Sequence, residues 1–305
     1  MRRVAVVLNP RSGAQAGELR RDDLDAAFGR HGVEVAFVDV TDARAVGALA
    51  RTDGAHDADV VVAAGGDGTI NTVANALAGT QRPMGVIPFG TFNFVARRYG
   101  LPQELDAAVD TVVSGRTIAI GAGEVGGRLF LNNCSFGLYT SIIDARERHE
   151  RTFGRNRAVA ALSGILTVLG RHRRPLVRLR HRGGQQAMRA SMVFIGANPL
   201  QLDELAPDIA AQVERGALVV VVVRAIDARR LLKFAWMALT GAVIDAPEIE
   251  ATVVEAATLS LRARRLRVVV DGEVVMLPVP FEVRTRPEVL QLRVPAEAAE
   301  ASASS

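Results

Sequence analysis

Gly65-Gly66-Asp67-Gly68-Thr69 is the stretch of this chain whose residue types are most suited to chemistry. The β-branched run Val60-Val61-Val62 leads into it, and an apolar set at helical spacing, Ile70, Val73, Ala74 and Leu77, follows at once. The pattern is strand, tight loop, helix. Such a junction aims backbone N–H groups and the positive end of the helix dipole at one place, and glycines let a bulky anion reach the main chain, so phosphate is the ligand it suits. Asp67 is the odd member, because a carboxylate beside a phosphate repels it unless a cation lies between them or the side chain ties down the loop. It therefore either faces Mg²⁺ or holds the turn. An ordinary glycine-rich βα turn would look the same. A second junction of this kind follows the apolar run Val4 to Leu8, at Asn9-Pro10-Arg11-Ser12-Gly13, where the plainer reading is a polar loop with Ser12 as a helix cap. Late in the chain, Val268-Val269-Val270-Asp271-Gly272-Glu273-Val274-Val275 places Asp-Gly between two β runs, the strongest short-range hairpin signal.

These loops need strands and helices to carry them. Helical segments at 18–31 and 42–52 surround a strand from Val33 to Val38, and further strands are expected at 58–64 and Met84 to Ile87. Alternating βα units imply a parallel sheet with the ligand at the carboxyl ends of its strands. From Thr117 the pattern changes to short strands and glycine turns. Thr117 to Val125 pairs with Arg128 to Asn132 about Gly126-Gly127, and Pro175 to His181 pairs with Ala187 to Gly196 about Gly183-Gly184. Leu218 to Val223 is a strand, and 249–294 reads as a series of short strands of sandwich composition. Helices are expected at 141–152, at 155–170 and at 227–241, the last with Lys233 and Trp236. The fold class is α/β, with an N-terminal doubly wound, mostly parallel sheet followed by a β-sandwich-type domain with a few helices. The expected domains are 1–124, with 285–295 a candidate to complete it, and a β-rich domain at 125–284. Residues 296–305 are small and polar and read as a disordered tail. No internal repeat is visible.

Composition removes several classes of function. All 37 cationic side chains except Lys233 are arginine, so neither a Walker A lysine nor a protein-kinase strand lysine stands where it would be needed. The single Cys134 forbids an internal disulfide and suits a reducing compartment. No run reaches the about 18 apolar residues of a spanning helix, and the expectation is a soluble or peripheral protein. The histidines lack metal-ligand spacing, and no Gly-x-Ser-x-Gly elbow occurs. A formal charge of +4 without an aromatic-basic motif gives no support for nucleic-acid binding.

Gly65 to Thr69 resembles the nucleotide loop of the diacylglycerol kinase catalytic family, which includes sphingosine and ceramide kinases and bacterial soluble lipid kinases. NAD kinases and phosphofructokinases carry similar loops. Residues 9–13 match the family's Asn-Pro-x-Ser-Gly, and Pro88-Phe89-Gly90-Thr91-Phe92-Asn93-Phe94-Val95-Ala96-Arg97 matches its Pro-x-Gly-Thr-x-Asn-Asp-Phe-Ala-Arg except at Phe94, where the family has an acid that organises Mg²⁺. A branch with Gly-Thr-Leu-Asn-His-Phe-Ala also lacks that acid, and Leu131 to Tyr139 is similar to the same branch. Arg215 stands where many members have an acid, which puts a structural Mg²⁺ site in doubt. The resemblance implies that Asp271 is the catalytic base with Glu273 beside it. It also implies that ATP is held by Asn9, Ser12, Gly13, Gly65, Gly66, Asp67, Gly68, Thr69, Gly90, Thr91 and Asn93, and that Mg²⁺ is held by Asp67 and Glu273. The implied substrate is a lipid alcohol. A peripheral place on the cytoplasmic face of an anionic membrane follows, through the basic ends of 155–174, with a homodimer left open and no nucleic-acid partner. The alternatives are an NAD kinase-like enzyme and a kinase-fold binding protein with weak or no turnover, the latter motivated by Phe94 and Arg215.

Overall fold

The computed structural model describes residues 1–8, 17–50, 58–137, 175–202, 206–224 and 249–296. The expected helices at 141–152, 155–170 and 227–241, with Lys233 and Trp236, lie outside these residues, as do Asn9, Ser12, Gly13 and nearly all of the 296–305 tail. The chain divides into two compact units, one of Met1–Ala122 with the chain from Arg286 onward, the other Gly123–Thr285.

In the first unit β1 (Arg3–Leu8), β2 (Glu34–Asp39), β3 (Val60–Gly65) and β4 (Pro83–Pro88) alternate with α1 (Gly17–Gly29), α2 (Ala43–Ala48) and α3 (Asp67–Leu77). The strands run parallel in the order β2-β1-β3-β4, with Val6 beside Phe37 on one side and Val62 on the other. The end of a long strand, β15 (Phe281–Val294), pairs parallel with β4 at Leu292 and Met84. Every residue of β3 is buried, which explains its continuous apolar sequence: a parallel strand is covered on both faces. Val4, Val6, Leu8, Val60, Val62 and Ala64 pack against Leu24 and Phe28 of α1 and against Ala108, Val109 and Val112 of α5 (Leu105–Ser114), which follows a short helix α4 (Phe94–Arg98). The alternate residues Ala5, Val7, Val61 and Ala63 are buried as well, and α3 packs on β1, β3 and β4. α5 has no counterpart in the reading of the sequence, although Leu105, Ala108, Val109 and Val112 stand at the i, i+3, i+4, i+7 spacing of a helix face.

Asp59, just before β3, ties that strand to β1. Its Oδ2 accepts the backbone N–H groups of Arg2 at 2.5 Å and Arg3 at 3.1 Å, and these two bonds hold its carboxyl below the ordinary aspartate value. A folded-state value below the unfolded one gives stability that is present above the ordinary carboxylate range and is lost as the pH falls through the folded value. Thermal melts from about pH 5 down to about pH 2 are therefore expected to fall less steeply for Asp59→Asn than for the parent. Parallel acid limbs for the two proteins would show that this carboxylate is not part of the acid response.

In the second unit the strands are the end of β5 (Arg116–Val125), then β6 (Arg128–Phe130), β7 (Asn133–Gly137), β8 (Leu176–His181), β9 (Gly184–Gly196), β10 (Leu218–Arg224), β11 (Ile249–Val254), β12 (Ala256–Ser260), β13 (Arg265–Val270), β14 (Glu273–Pro278) and the start of β15. Their order is β14-β13-β7-β9-β8-β12-β15, with β10 between β9 and β11. The first half of β9 pairs with β8, and the second half pairs with β7 and β10. Ala190 and Val193, three residues apart, both enter the core, and the β9–β10 register shifts at Val223/Arg224, so β9 bends as a bulged strand does. One strand thus serves both parts of a sandwich-like arrangement, filled by Val177, Leu179, Leu259, Cys134, Phe136 and Val268 among others. Where the sequence suggests only short strands, β15 runs for 14 residues and is shared by both units. Helix α6 (Pro207–Glu214), also unread from sequence, lays Ala210 and Val213 on Val219 and Leu202. No helix among the described residues is long and apolar enough to cross a membrane.

Candidate active site

The carboxyl end of β3 and the start of α3 form the glycine loop expected from sequence, and the three glycines are there for different reasons. A Cβ on Gly65 would lie 2.4 Å from Thr69 Oγ1, so this glycine makes room for the buried threonine side chain of the first helical turn. A Cβ on Gly66 would lie 3.3 Å from the Cα of Gly90, and one on Gly90 would lie 2.8 Å from the Cα of Gly66 and 2.6 Å from Asn93 Oδ1. Gly66 and Gly90 therefore let two loops, at the ends of β3 and β4, touch backbone to backbone. Gly68 is different: among the described residues outside its own helix, nothing lies within 4 Å of where its Cβ would stand. Packing explains two of these glycines, and the third has open space beside it.

The same end of the sheet collects Asp67, Gly90, Thr91 and Asn93 of the predicted residues. Helix α3 starts at Asp67 with Gly66 as its cap and no side-chain capping bond, the arrangement that leaves a helix N-terminus to an anion. Asp67 Oδ1 accepts the backbone N–H of Val95 at 3.4 Å and so links α3 to α4. Asn93 sits in the left-handed region (φ 48°), donates through Nδ2 to Gln103 Oε1 at 2.6 Å, and is buried. Its Oδ1 is also buried and has no hydrogen-bond partner among the described residues, which is costly unless something else supplies one. Thr91 is exposed beside it. Phe94, in the place of the family acid, stacks on Phe92 with ring centroids 5.5 Å apart and planes 4° apart, and Phe92 is 66% exposed. An aromatic pair stands where a charge is expected. Arg97 is exposed, and Arg98 lies over the Tyr99 ring at 5.1 Å.

In the second unit Asp271 and Gly272 form the two-residue turn between β13 and β14, with Val270 opposite Glu273 and φ of 44° and 90° at the turn residues. Both central residues are left-handed, as a tight turn of this type requires. The Asp271 carboxylate does not project from the tip. It turns inward, is 9% exposed, and accepts three backbone N–H groups: Leu131 on Oδ2 at 2.7 Å, and Asn132 and Asn133 on Oδ1 at 3.0 and 2.8 Å. The backbone of Asp271 in turn donates to Asn133 O at 2.9 Å. This is why β6 stops at Phe130 rather than running to Asn132: the next N–H groups turn to the carboxylate. Asn132 Oδ1 accepts from Asn198 Nδ2 at 2.9 Å and Asn133 Nδ2 donates to Gln201 Oε1 at 3.2 Å, so the corner joins three segments. Asn198 and Gln201 were not singled out by sequence; Asn198 ahead of Pro199 was the available signal.

Glu273, which the resemblance sets beside Asp271, opens β14, whereas Asp271 is in the turn and not in a strand. Glu273 is exposed and pairs with Arg128 at 3.6 Å, while the Asp271 carboxylate is buried. Cys134, on β7 beside this corner, is fully buried, and burial with a further contribution from the Asp271 charge pushes its thiol far above the ordinary range. Arg215 caps the C-terminal end of α6, where a cation suits the helix dipole. No cluster of acidic, histidine or cysteine side chains able to hold a metal by itself occurs among the described residues. A nucleotide and its cation nevertheless fit the first unit on its own observations, the open space at Gly68 and the buried Asn93 Oδ1 without a partner.

The diacylglycerol kinase catalytic domain model matches residues 3–125, and the model described as YegS C-terminal NAD kinase beta sandwich-like domain matches residues 141–294. A diacylglycerol kinase of Bacillus subtilis (strain 168) is 37% identical over 145 residues, 47% of this chain and 48% of the relative. One from Staphylococcus haemolyticus (strain JCSC1435) is 33% identical over 146 residues, 47% of this chain and 44% of the relative. The matched stretches thus span about half the length of these curated relatives or less. A crystal structure of a diacylglycerol kinase from Bacillus anthracis str. Sterne superposes with a TM-score of 0.69 at 18% identity, over 97% of this chain and 98% of that one, and shows the same fold. With both domain models matched in order along the chain, and with the glycine loop, the Gly90 to Asn93 loop and the Asp-Gly-Glu turn in their expected places, the protein belongs to the diacylglycerol kinase catalytic-domain family.

Proposed function

We propose that this protein is an ATP- and Mg²⁺-dependent lipid kinase that phosphorylates the hydroxyl of diacylglycerol or a related lipid alcohol. The observation that carries the reading is the junction of β3 and α3, an uncapped helix start with an open side at Gly68, packed through Gly66 on the Gly90 loop that Asn93 Oδ1 faces. The names of the relatives supply the lipid class. In this reading the backbone of Gly65 to Thr69 and the Gly90 to Asn93 loop, with Asn9, Ser12 and Gly13, orient the phosphates. Asp67 and Asn93 Oδ1 are the oxygens that would hold the cation, which supplies charge neutralisation for phosphoryl transfer. Asp271 accepts the proton of the lipid hydroxyl as it attacks, with its direction set by the three N–H donors, and Glu273 supports the charge balance nearby. The protein works at the cytoplasmic face of the membrane that contains its substrate. Phe94 and the engaged Asp271 carboxylate favour one second reading, a kinase-fold binding protein with weak turnover. Purified protein given labelled ATP and Mg²⁺, with diacylglycerol, other lipid alcohols and NAD in parallel reactions, separates the readings. Label in the lipid fraction is the expected result; label in NAD alone, or in none of the acceptors despite ATP binding, would refute the proposal.

A further inference from the structure

We infer that the solvent face of the β8–β9 hairpin is an electrostatic docking surface for an anionic lipid bilayer. Along β8 the side chains alternate, with Val177 and Leu179 in the core and Leu176, Arg178 and Arg180 exposed; Arg182 follows in the exposed turn. The two strand arginines are i and i+2 neighbours on one face, roughly 7 Å apart along the strand. Among the described residues, no salt bridge or hydrogen bond engages the side chains of Arg178, Arg180 or Arg182. Register explains why. Arg178 stands between Ala187 on β9 and Ser260 on β12, and Arg180 between Gln185 and Thr258, so neither has a carboxylate directly across from it. By register the nearest acid is Glu282, one strand beyond Thr258.

Arginines on a strand often guard a sheet edge against pairing with other chains. That explanation does not apply here, because β8 is hydrogen-bonded to β9 on one side and β12 on the other. The fold keeps like charges side by side on an interior strand, an arrangement that costs free energy until an anionic partner neutralises it. The chemistry of the face selects the partner. Leu176, a large apolar side chain 43% exposed, shares the face with Arg178 and is paired with Arg189 across the ladder, and Arg262 lies two residues beyond Ser260. An apolar side chain set among arginines suits the interface of a bilayer, where it enters the acyl boundary as the guanidinium groups meet phosphates. The outward residues of β8 and its neighbours, Leu176, Arg178, Arg180, Gln185, Ala187, Thr258 and Ser260, include no aromatic ring on which a nucleic-acid base could stack. This proposal deepens the lipid-kinase reading and rests on it for the substrate, while its test needs no turnover.

Flotation of the full chain with vesicles tests it. Phosphatidylcholine vesicles containing about one third phosphatidylglycerol should capture the protein, pure phosphatidylcholine should capture little, and salt raised from about 0.1 M to about 0.5 M should release it. Arg178→Gln/Arg180→Gln should weaken binding to the anionic vesicles about 30-fold, with an unchanged melting temperature. A control of equal charge loss at exposed sites elsewhere, Arg44→Gln/Arg215→Gln, should weaken it less than about threefold. Equal losses for the two double variants would mean that net charge alone drives binding, and full binding by the first would mean that another surface docks; either overturns the inference. A labelled single-stranded oligonucleotide provides a further arm: if the first double variant loses that ligand and keeps the vesicles, the face serves nucleic acid. Turnover of short-chain diacylglycerol in solution, without vesicles, should be equal in the parent and the first double variant. Its absence in both would refute the kinase reading and leave the docking surface standing.

Discussion

Asp271→Asn is expected to lose both stability and turnover, by amounts that can be measured separately. The asparagine oxygen can keep the N–H groups of Asn132 and Asn133, but its amide nitrogen then faces the N–H of Leu131, so one donor is orphaned and the other two lose a charged acceptor. Hydrogen bonds to a charged group are worth ~1.5–3 kcal/mol, so a loss of roughly 2–3 kcal/mol in urea unfolding is expected, and roughly 4 kcal/mol or more for Asp271→Ala, which abandons all three donors. Turnover per folded molecule of Asp271→Asn should fall by about 10²–10⁴-fold, the usual worth of a general base. Cys134 provides the folding control. It is the single cysteine of the chain, fully buried beside this corner, and its labelling by a thiol reagent reports opening of the second unit in parent and variants alike. If the variant is less stable but each folded molecule phosphorylates lipid at the parent rate, Asp271 only holds the corner and the base lies elsewhere.

Gly68→Ala is expected to abolish most nucleotide binding in a protein at least as stable as the parent. The added methyl meets no described atom outside its own helix within 4 Å and sits in the first turn of α3, where alanine is favoured over glycine by up to ~1 kcal/mol. Into the same space a phosphate must come if the loop binds nucleotide. Losing its close approach removes charge-assisted bonds of ~1.5–3 kcal/mol, so ATP affinity should drop by about 10–100-fold in calorimetry. Gly65→Ala and Gly66→Val are poorer probes, because a Cβ at 65 collides with Thr69 and one at 66 presses on Gly90, so binding and folding would fail together. Unchanged ATP affinity in Gly68→Ala would mean that no phosphate approaches this side of the loop.

What was legible in the sequence follows the reach of the interactions. The glycine loop could be read because its demands are local: a buried strand ends, a helix begins, and Gly65 and Gly66 stand where Cβ atoms have little or no room. The Asp271-Gly272 turn was equally local, and its left-handed dihedrals match the hairpin signal. The direction of the Asp271 carboxylate was not, since its partners at Leu131, Asn132 and Asn133 lie 138 to 140 positions away in the chain. The same is true of Asn132 with Asn198. Helix α5 carried a readable period and was passed over; α6, eight residues long, had too few turns to declare one. The alternation along β8 marked a strand, but only the ladder shows that it is an interior one whose arginines have no acid across from them.

The path of β15 has a consequence for synthesis. β1 to β4 leave the ribosome early, yet β4 finds the partner for its outer side only at Gln291 and Leu292, and the same late segment supplies Val289 O to Gly79 and the Arg293 guanidinium to the carbonyls of Val112 and Val113. Until then β4 is an open sheet edge, a template for pairing with any other nascent strand. The Gly65 to Thr69 loop is thus translated early but belongs to a unit that closes last. A chain stalled before β15 would present that loop on an unfinished sheet, a species for chaperones to hold and proteases to clear rather than a free-standing domain.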